Sequence, residues 1–151
     1  MRAGSSRSSI GRGRRSLSAR QRRRGGILAS ANLETVRRFC EAFSRRDPEE
    51  VLAFFTEDAV YHNMPLPPVQ GKAGIKTVLD MFLKLAESVE FIVLKIAEGD
   101  DGAVLTERVD KFSLGGKNVE LPVMGVFELT DGKISAWRDY FDMAAWTRQT
   151  S

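Results

Sequence analysis

The chain has 151 residues, 42% hydrophobic and 28% charged, with 23 Lys+Arg, 20 Asp+Glu and a formal net charge of +3. That length suits one domain with a real hydrophobic core, and no apolar run approaches the roughly 20 residues that a membrane span needs. A single Cys, Cys40, and a single His, His62, exclude an internal disulfide framework and argue against a metal centre built by the protein itself.

The charge is unevenly placed. Residues 1–30 carry nine Arg, no Lys and no Asp or Glu, while 31–151 hold the other 14 basic residues and all 20 acidic ones, a net charge of −6. An acidic body gives no electrostatic reason to expect nucleic acid as a partner. Residues 1–30 are mostly Arg, Ser and Gly, with no aromatics and only four Ile or Leu. Such a segment cannot offset its chain entropy by burial, so it is expected to be a disordered tail, with the domain at 31–151. It lacks the apolar stretch of a secretory signal. Three readings stay open for it: a dispensable extension, a targeting segment of transit-peptide composition, and a weak polycationic anion binder.

Within the body, Asn32 can cap a first helix in which Val36, Phe39, Cys40 and Phe43 follow at i, i+3, i+4, i+7. Cys40 falls in that apolar stripe and reads as a small core residue. Asp47-Pro48-Glu49-Glu50 opens a second, short helix, with Asp as N-cap, Pro at N1 and Glu at N3. Ala59 to Asn63 reads as a brief strand. The Pro-rich run from Met64 to Pro68 can be neither helix nor central strand. A third helix is expected over about Lys72–Glu87, with Ile75, Val78, Leu79, Phe82 and Leu83 on one side. Four strands follow: Val89–Ala97, Ala103–Ser113, Val119–Leu129 and Ile134–Met143, with turns at Gly99–Gly102, Gly115-Gly116 and Asp131-Gly132. The order α-α-β-α-β-β-β-β predicts an α+β fold, one curved sheet with helices laid across one face.

Alternation places charges on an apolar face. In the second of the four strands that face carries Val104, Thr106, Arg108, Asp110 and Phe112; in the last it carries Ser135, Trp137, Asp139, Phe141 and Met143. The strand between them offers Val119, Leu121, Val123, Gly125, Phe127 and Leu129, with no charge. Isolated charges are costly to bury, so Arg108, Asp110 and Asp139 should be paired. In a dry pocket the cheaper state of one Arg with two Asp keeps one proton on the carboxyl pair. One carboxylate and one carboxylic acid form an acid/base pair. The plain alternative is an ion pair that stiffens the sheet. Tyr61 and Asn63 share a face of their short strand and can both hold a water or a substrate polar group; on their own they also fit ordinary core-edge hydrogen bonding. His62 points the other way and reads as a surface or second-layer residue, not as a base.

Three segments together carry a family resemblance: Tyr61-His62-Asn63-Met64-Pro65-Leu66-Pro67-Pro68, Thr106-Glu107-Arg108-Val109-Asp110, and Gly125-Val126-Phe127 through Asp131-Gly132-Lys133-Ile134 to Trp137-Arg138-Asp139-Tyr140-Phe141-Asp142. The chain from about Leu33 to Met143 resembles the limonene-1,2-epoxide hydrolase family. The resemblance implies the cone-shaped fold shared with nuclear transport factor 2 and the SnoaL-like polyketide cyclases: a curved mixed sheet with helices on its concave face. It implies a homodimer with no metal or organic cofactor; the chain itself is expected to be cytoplasmic. It places the functional positions on Tyr61, Asn63, Arg108, Asp110 and Asp139. In that scheme Asp139 takes a proton from a water that Tyr61 and Asn63 also hold, protonated Asp110 donates to the epoxide oxygen, and Arg108 bridges the two carboxyls. The pocket for an apolar, terpene-like or cyclic epoxide is expected to be lined by Met64, Leu66, Leu79, Phe82, Leu83, Leu121, Val123, Trp137 and Phe141. Two rivals stay open: an isomerase or cyclase of the same fold acting on a ketone, and a non-catalytic ligand-binding or dimerisation module. The first has no use for the water-holding Asn63, and the second no use for an Arg between two Asp on an apolar face.

Overall fold

The apolar stripe at Val36, Phe39, Cys40 and Phe43 is fully buried and sets the long first helix against the sheet. A computed structural model describes residues 19–151, with side chains from residue 31; the tail expectation for residues 1–18 falls outside the described residues. Helix α1 spans Ala19–Ala42, so it begins inside the segment read as tail and Asn32 is not its cap. The Asn32 side chain instead donates to the Gly102 carbonyl at 3.0 Å, tying α1 to a turn of the sheet.

A short 3₁₀ turn, Phe43–Arg45, ends on Arg46, which adopts the left-handed conformation at φ 53°. Its guanidinium donates to the Ala86 carbonyl at 2.6 Å, a tertiary contact that holds the reversal. Asp47 then caps α2 (Pro48–Leu52), accepting from the Glu49 and Glu50 amides as the sequence predicts. Strand β1 (Phe55–Asn63) starts earlier than expected. A two-residue strand, β2 (Val69–Gln70), was not foreseen; it follows the Pro-rich loop and pairs back on Val60 and Tyr61. Helix α3 (Lys72–Leu85) runs straight into β3 (Ala86–Glu98), and β4 (Val104–Leu114), β5 (Lys117–Thr130) and β6 (Lys133–Tyr140) complete the meander. The last strand is shorter than expected, because Asp142 caps a further helix, α4 (Met143–Thr150), and accepts from the Ala144 amide at 2.9 Å.

The six strands form one mixed sheet in the order β2-β1-β6-β5-β4-β3. Every pairing is antiparallel except β1 with β6, which sets Tyr61 beside Trp137 and Asn63 beside Asp139. The fold is thus the α+β arrangement the alternation pointed to, with helices on the inner face of the sheet. The β5–β6 register shifts between Glu128 and Leu129. This irregularity explains why Ile134, placed on the outer face by strict alternation, is fully buried.

Phe39 sits at the centre of the core. Its ring meets Phe43, Phe54, Phe55, Phe127 and Trp137 edge-on, with centroids 4.9–5.7 Å apart. Edge-to-face packing adds to the area these rings bury. Among the described residues no helix is long and apolar enough to cross a membrane. Phe39→Ala would open a cavity at this junction, and we expect a loss of about 3–5 kcal/mol, read from the denaturant midpoint at unchanged slope.

Candidate active site

Arg108, Asp110 and Asp139 are 1%, 6% and 4% exposed, among the few charged or polar side chains buried with the core. Arg108 and Asp110 are two apart on β4, so they share its inner face. The Arg108 Nε donates to Asp110 Oδ1 at 2.7 Å and Nη2 donates to Oδ2 at 3.0 Å. Nη2 also donates to Asp139 Oδ2 on β6. Nη1 donates to the Thr106 hydroxyl at 3.3 Å.

Strand β5 lies between β4 and β6, so the guanidinium must cross it to reach Asp139. Gly125 makes the crossing possible. The register puts Thr106, Gly125, Asp139 and Asn63 in one row across four strands. A Cβ at Gly125 would overlap Arg108 Nη1 and would sit 2.7 Å from the Thr106 hydroxyl and 3.0 Å from Asp139 Oδ1. Its missing side chain is the space the cation occupies. A lone Gly within a Val/Leu/Phe strand signals such a close approach, although in the alternation pattern Gly125 stands only as an uncharged position.

Aromatic rings enclose the cluster. The Arg108 guanidinium carbon lies 4.9 Å from the Phe91 ring centroid and about 6 Å from those of Phe127 and Trp137. The Trp137 indole N–H donates to Asp139 Oδ1 at 2.7 Å. One face of that indole stacks on Tyr61 at 4.2 Å. Asn63 Nδ2 donates to the Tyr61 hydroxyl at 2.7 Å, which leaves the Tyr61 O–H as a donor and the Asn63 Oδ1 as an acceptor. Burial, aided by the Asp139 charge, pushes the Tyr61 phenol far above its usual range, so it stays protonated.

The same burial raises both carboxyls. Asp110 is pushed up to about 6, chiefly by desolvation, against the opposing pull of Arg108. Asp139 is also raised by desolvation, although Arg108 and the Trp137 N–H oppose it. Burial works against the Arg108 cation, but Asp139 and Asp110 more than offset this and it stays charged. Two raised carboxyls on one cation favour a state with one proton between them.

Asp110, Asp139, Tyr61 and Asn63 all face a cavity of about 130 Å³, with Arg108 behind them. Of the pocket residues expected from sequence, Leu79, Phe82, Leu121, Val123, Trp137 and Phe141 line it. Met64 and Leu66 do not: they are 37% and 46% exposed, because the Pro-rich turn carries them away from the cavity. Leu83 is buried in the core one turn past Leu79 and does not reach the cavity wall. Phe43, Val78, Phe91, Phe112 and Trp146 complete the lining. Trp146 comes from α4, packs 5.5 Å from Phe112, and covers one side of the cavity. Cys40 is buried and its thiol is pushed up to about 12 by that burial, a core residue without nucleophilic character. His62 turns away and contacts the Leu66 carbonyl at 2.9 Å. Among the described residues no three His, Cys, Asp or Glu side chains gather as a ligand set for a metal.

Comparison with known proteins bears on the family and the fold. The family model of the limonene-1,2-epoxide hydrolase catalytic domain matches residues 30–151. Epoxide hydrolase EphG of Mycobacterium tuberculosis is 38% identical over 109 residues, covering 72% of this chain and 71% of that protein. A solved LEH-like epoxide hydrolase of Mycobacterium tuberculosis superposes with a TM-score of 0.70 at 34% identity, over 80% of this chain and 89% of the other. A putative polyketide cyclase of Xanthomonas campestris has a TM-score of 0.74 at 23% identity, over 82% of this chain and 99% of its own, a likeness of fold alone.

The raised carboxyls carry a stability consequence with a definite sign. A carboxyl that binds its proton more tightly when folded stabilises the protein fully below its unfolded value, about pH 4, and that contribution is lost as pH rises through about 6. Asp110→Asn removes this dependence. The melting temperature of the variant minus that of the wild type should therefore grow between about pH 4 and 6 and level off above, by an amount worth about 1–3 kcal/mol.

Proposed function

The chain belongs to the limonene-1,2-epoxide hydrolase family, and from that premise we propose that it adds water to an apolar, cyclic or terpene-like epoxide in one step, giving a vicinal diol. The observation that carries this reading is a buried Arg108 holding two carboxyls on the wall of an apolar cavity that also presents Tyr61 and Asn63. About 130 Å³ is close to the space that admits one benzene-sized ring, which suits a single-ring epoxide.

In this mechanism Asp139 is the base and Asp110 the acid. The attacking water gives one hydrogen bond to Asp139 and one to Asn63 Oδ1, and accepts one from the Tyr61 hydroxyl. Its remaining lone pair is aimed at an epoxide carbon. As the new C–O bond forms, the water's proton passes to Asp139. As the epoxide C–O bond breaks, the Asp110 proton passes to the leaving oxygen. The product is a neutral diol, and the cluster is left with its proton on Asp139 rather than Asp110. A proton shift within the cluster resets it, with Arg108 charged throughout. Opening the ring needs a proton on oxygen and a nucleophile on carbon together, and each of the two groups contributes roughly 10²–10⁴-fold. No ester to Asp139 forms on this route, and no cofactor takes part.

Turnover of limonene oxide and cyclohexene oxide tests the activity. Asp139→Asn and Asp110→Asn should each lower the rate by about 10² or more while folding normally. Single turnover in ¹⁸O-water should label the diol and leave the Asp139 and Asp110 peptides unlabelled. Near-wild-type turnover in both variants would make the cluster a structural ion pair, and label in either peptide would replace the one-step route. An inert protein across an epoxide panel would favour a ligand-binding module.

We also propose a homodimer, formed by the outer face of the sheet. Leu105, Met124 and Tyr140 are exposed there. Charged neighbours on that face alternate in sign, as in the Lys111–Glu120 and Arg138–Glu128 pairs, so two copies of an acidic body meet without net repulsion. Light scattering should give twice the chain mass, and Met124→Lys should shift it toward one.

A further inference from the structure

Arg108 cannot by itself decide which carboxyl keeps the proton. Its Nη2 is shared between Asp110 and Asp139, and its remaining contact to the pair goes to Asp110, at 2.7 Å from Nε to Oδ1. The cation therefore favours an ionised Asp110 at least as much as an ionised Asp139. That is the opposite of what the proposed reaction needs, in which Asp139 is the base. Another group must break the tie.

The only further protein donor to either carboxyl among the described residues is the Trp137 indole N–H, 2.7 Å from Asp139 Oδ1. It serves Asp139 alone. An indole N–H donates and never accepts, and it bonds an ionised oxygen about twice as strongly as a neutral carbonyl oxygen, so it favours the carboxylate. Trp137 is 1% exposed, so water does not replace this donor. The ring is fixed by its neighbours: Tyr61 stacks on it at 4.2 Å and 18°, Phe127 is near-parallel at 5.9 Å, and Phe39 meets it edge-on at 4.9 Å. Through the same ring the indole sets the plane of Tyr61, whose hydroxyl faces the cavity with Asn63.

We propose that Trp137 is a positioning residue that assigns the base: its indole N–H holds Asp139 as the carboxylate and leaves the shared proton on Asp110, while its face aligns Tyr61 with that carboxylate. This rests on the acid/base reading above. Trp137 touches no reacting atom, and it acts through Asp139 and Tyr61.

Trp137→Phe keeps an aromatic ring between Tyr61 and Phe127 and removes the N–H. The proton then moves toward Asp139, and the enzyme loses its base over a wider range of acid pH. The acidic limb of the pH profile of kcat/KM should move up by about one unit, the value of one charge-assisted hydrogen bond. The rate at the foot of that limb should fall about tenfold, and by a smaller, constant factor on the plateau, where the shared proton divides between the carboxyls independently of pH, with KM changed less than threefold. A ring that only packs would lower the rate equally at all pH values. In the wild-type protein the Trp137 indole proton, told apart from Trp146 by Trp146→Phe, should shift in NMR with the same midpoint as the acidic limb. This second readout needs no change at Trp137. An unmoved acidic limb in folded Trp137→Phe, or an indole proton that does not titrate, overturns the proposal. If Asp139→Asn is inactive and either of those results is found, only the role of Trp137 fails. If Asp139→Asn is active, the acid/base reading itself fails.

Discussion

One buried cation with two carboxyls governs the arrangement of this protein. Ions taken out of water cost several kcal/mol each unless close partners and hydrogen bonds offset the loss. Arg108 spends four of its donor contacts on Asp110, Asp139 and Thr106, and its faces on Phe91, Phe127 and Trp137. The strand it crosses has Gly125 at the crossing point. The net charge left over sets the cluster's protonation behaviour: in a desolvated wall two carboxyls on one cation hold a proton more tightly than they would in water.

Much of this was legible in the sequence because a strand has period 2. Arg108 and Asp110, two apart among Val104, Thr106 and Phe112, had to share the buried face, and Trp137 with Asp139 had to share theirs. What alternation lacks is any statement of which strands are neighbours. The pairing of β1 with β6 brings Asn63 to Asp139 and Tyr61 to Trp137 over more than seventy residues of chain, and nothing local to either strand announces it. For the same reason Trp137 read as pocket wall and Gly125 as a neutral position, when one is a donor to the cluster and the other its clearance. Helix α4 was missed because its eight residues bury no side chain fully, so it has no clear apolar stripe. It is held from outside, by Gln149, whose amide bonds the Glu120 backbone N–H and C=O at 2.9 and 3.0 Å. Met64 and Leu66 were placed in the pocket for their hydrophobicity, which says nothing about where a Pro-rich turn points.

The scaffold does not choose the chemistry. The same curved sheet superposes well on a putative polyketide cyclase at 23% identity. What differs among proteins of one fold is the set of side chains facing into the cone. Here that set combines the hydrogen-bonded Tyr61–Asn63 pair on β1, a charge cluster spanning β4 to β6, and apolar walls from α3, β5 and α4. The α3 and α4 walls lie on elements outside the cluster and can vary without disturbing it, whereas β5 carries Gly125, which Arg108 needs in order to cross.

The parallel pairing of β1 with β6 joins the first long strand in the chain to the last one inside an open sheet. During synthesis β1 leaves the ribosome early and waits, with one hydrogen-bonding edge open, until β6 follows at the end of the chain. Residues 55–63 and 133–140 supply Asn63 and Asp139 in register, so no nascent or prematurely terminated chain that ends before β6 can bring the Tyr61–Asn63 pair to that carboxylate. The order of the strands makes synthesis through β6 a condition for assembling the site, and the unpaired edge of β1 is the place where an unfinished chain is open to aggregation.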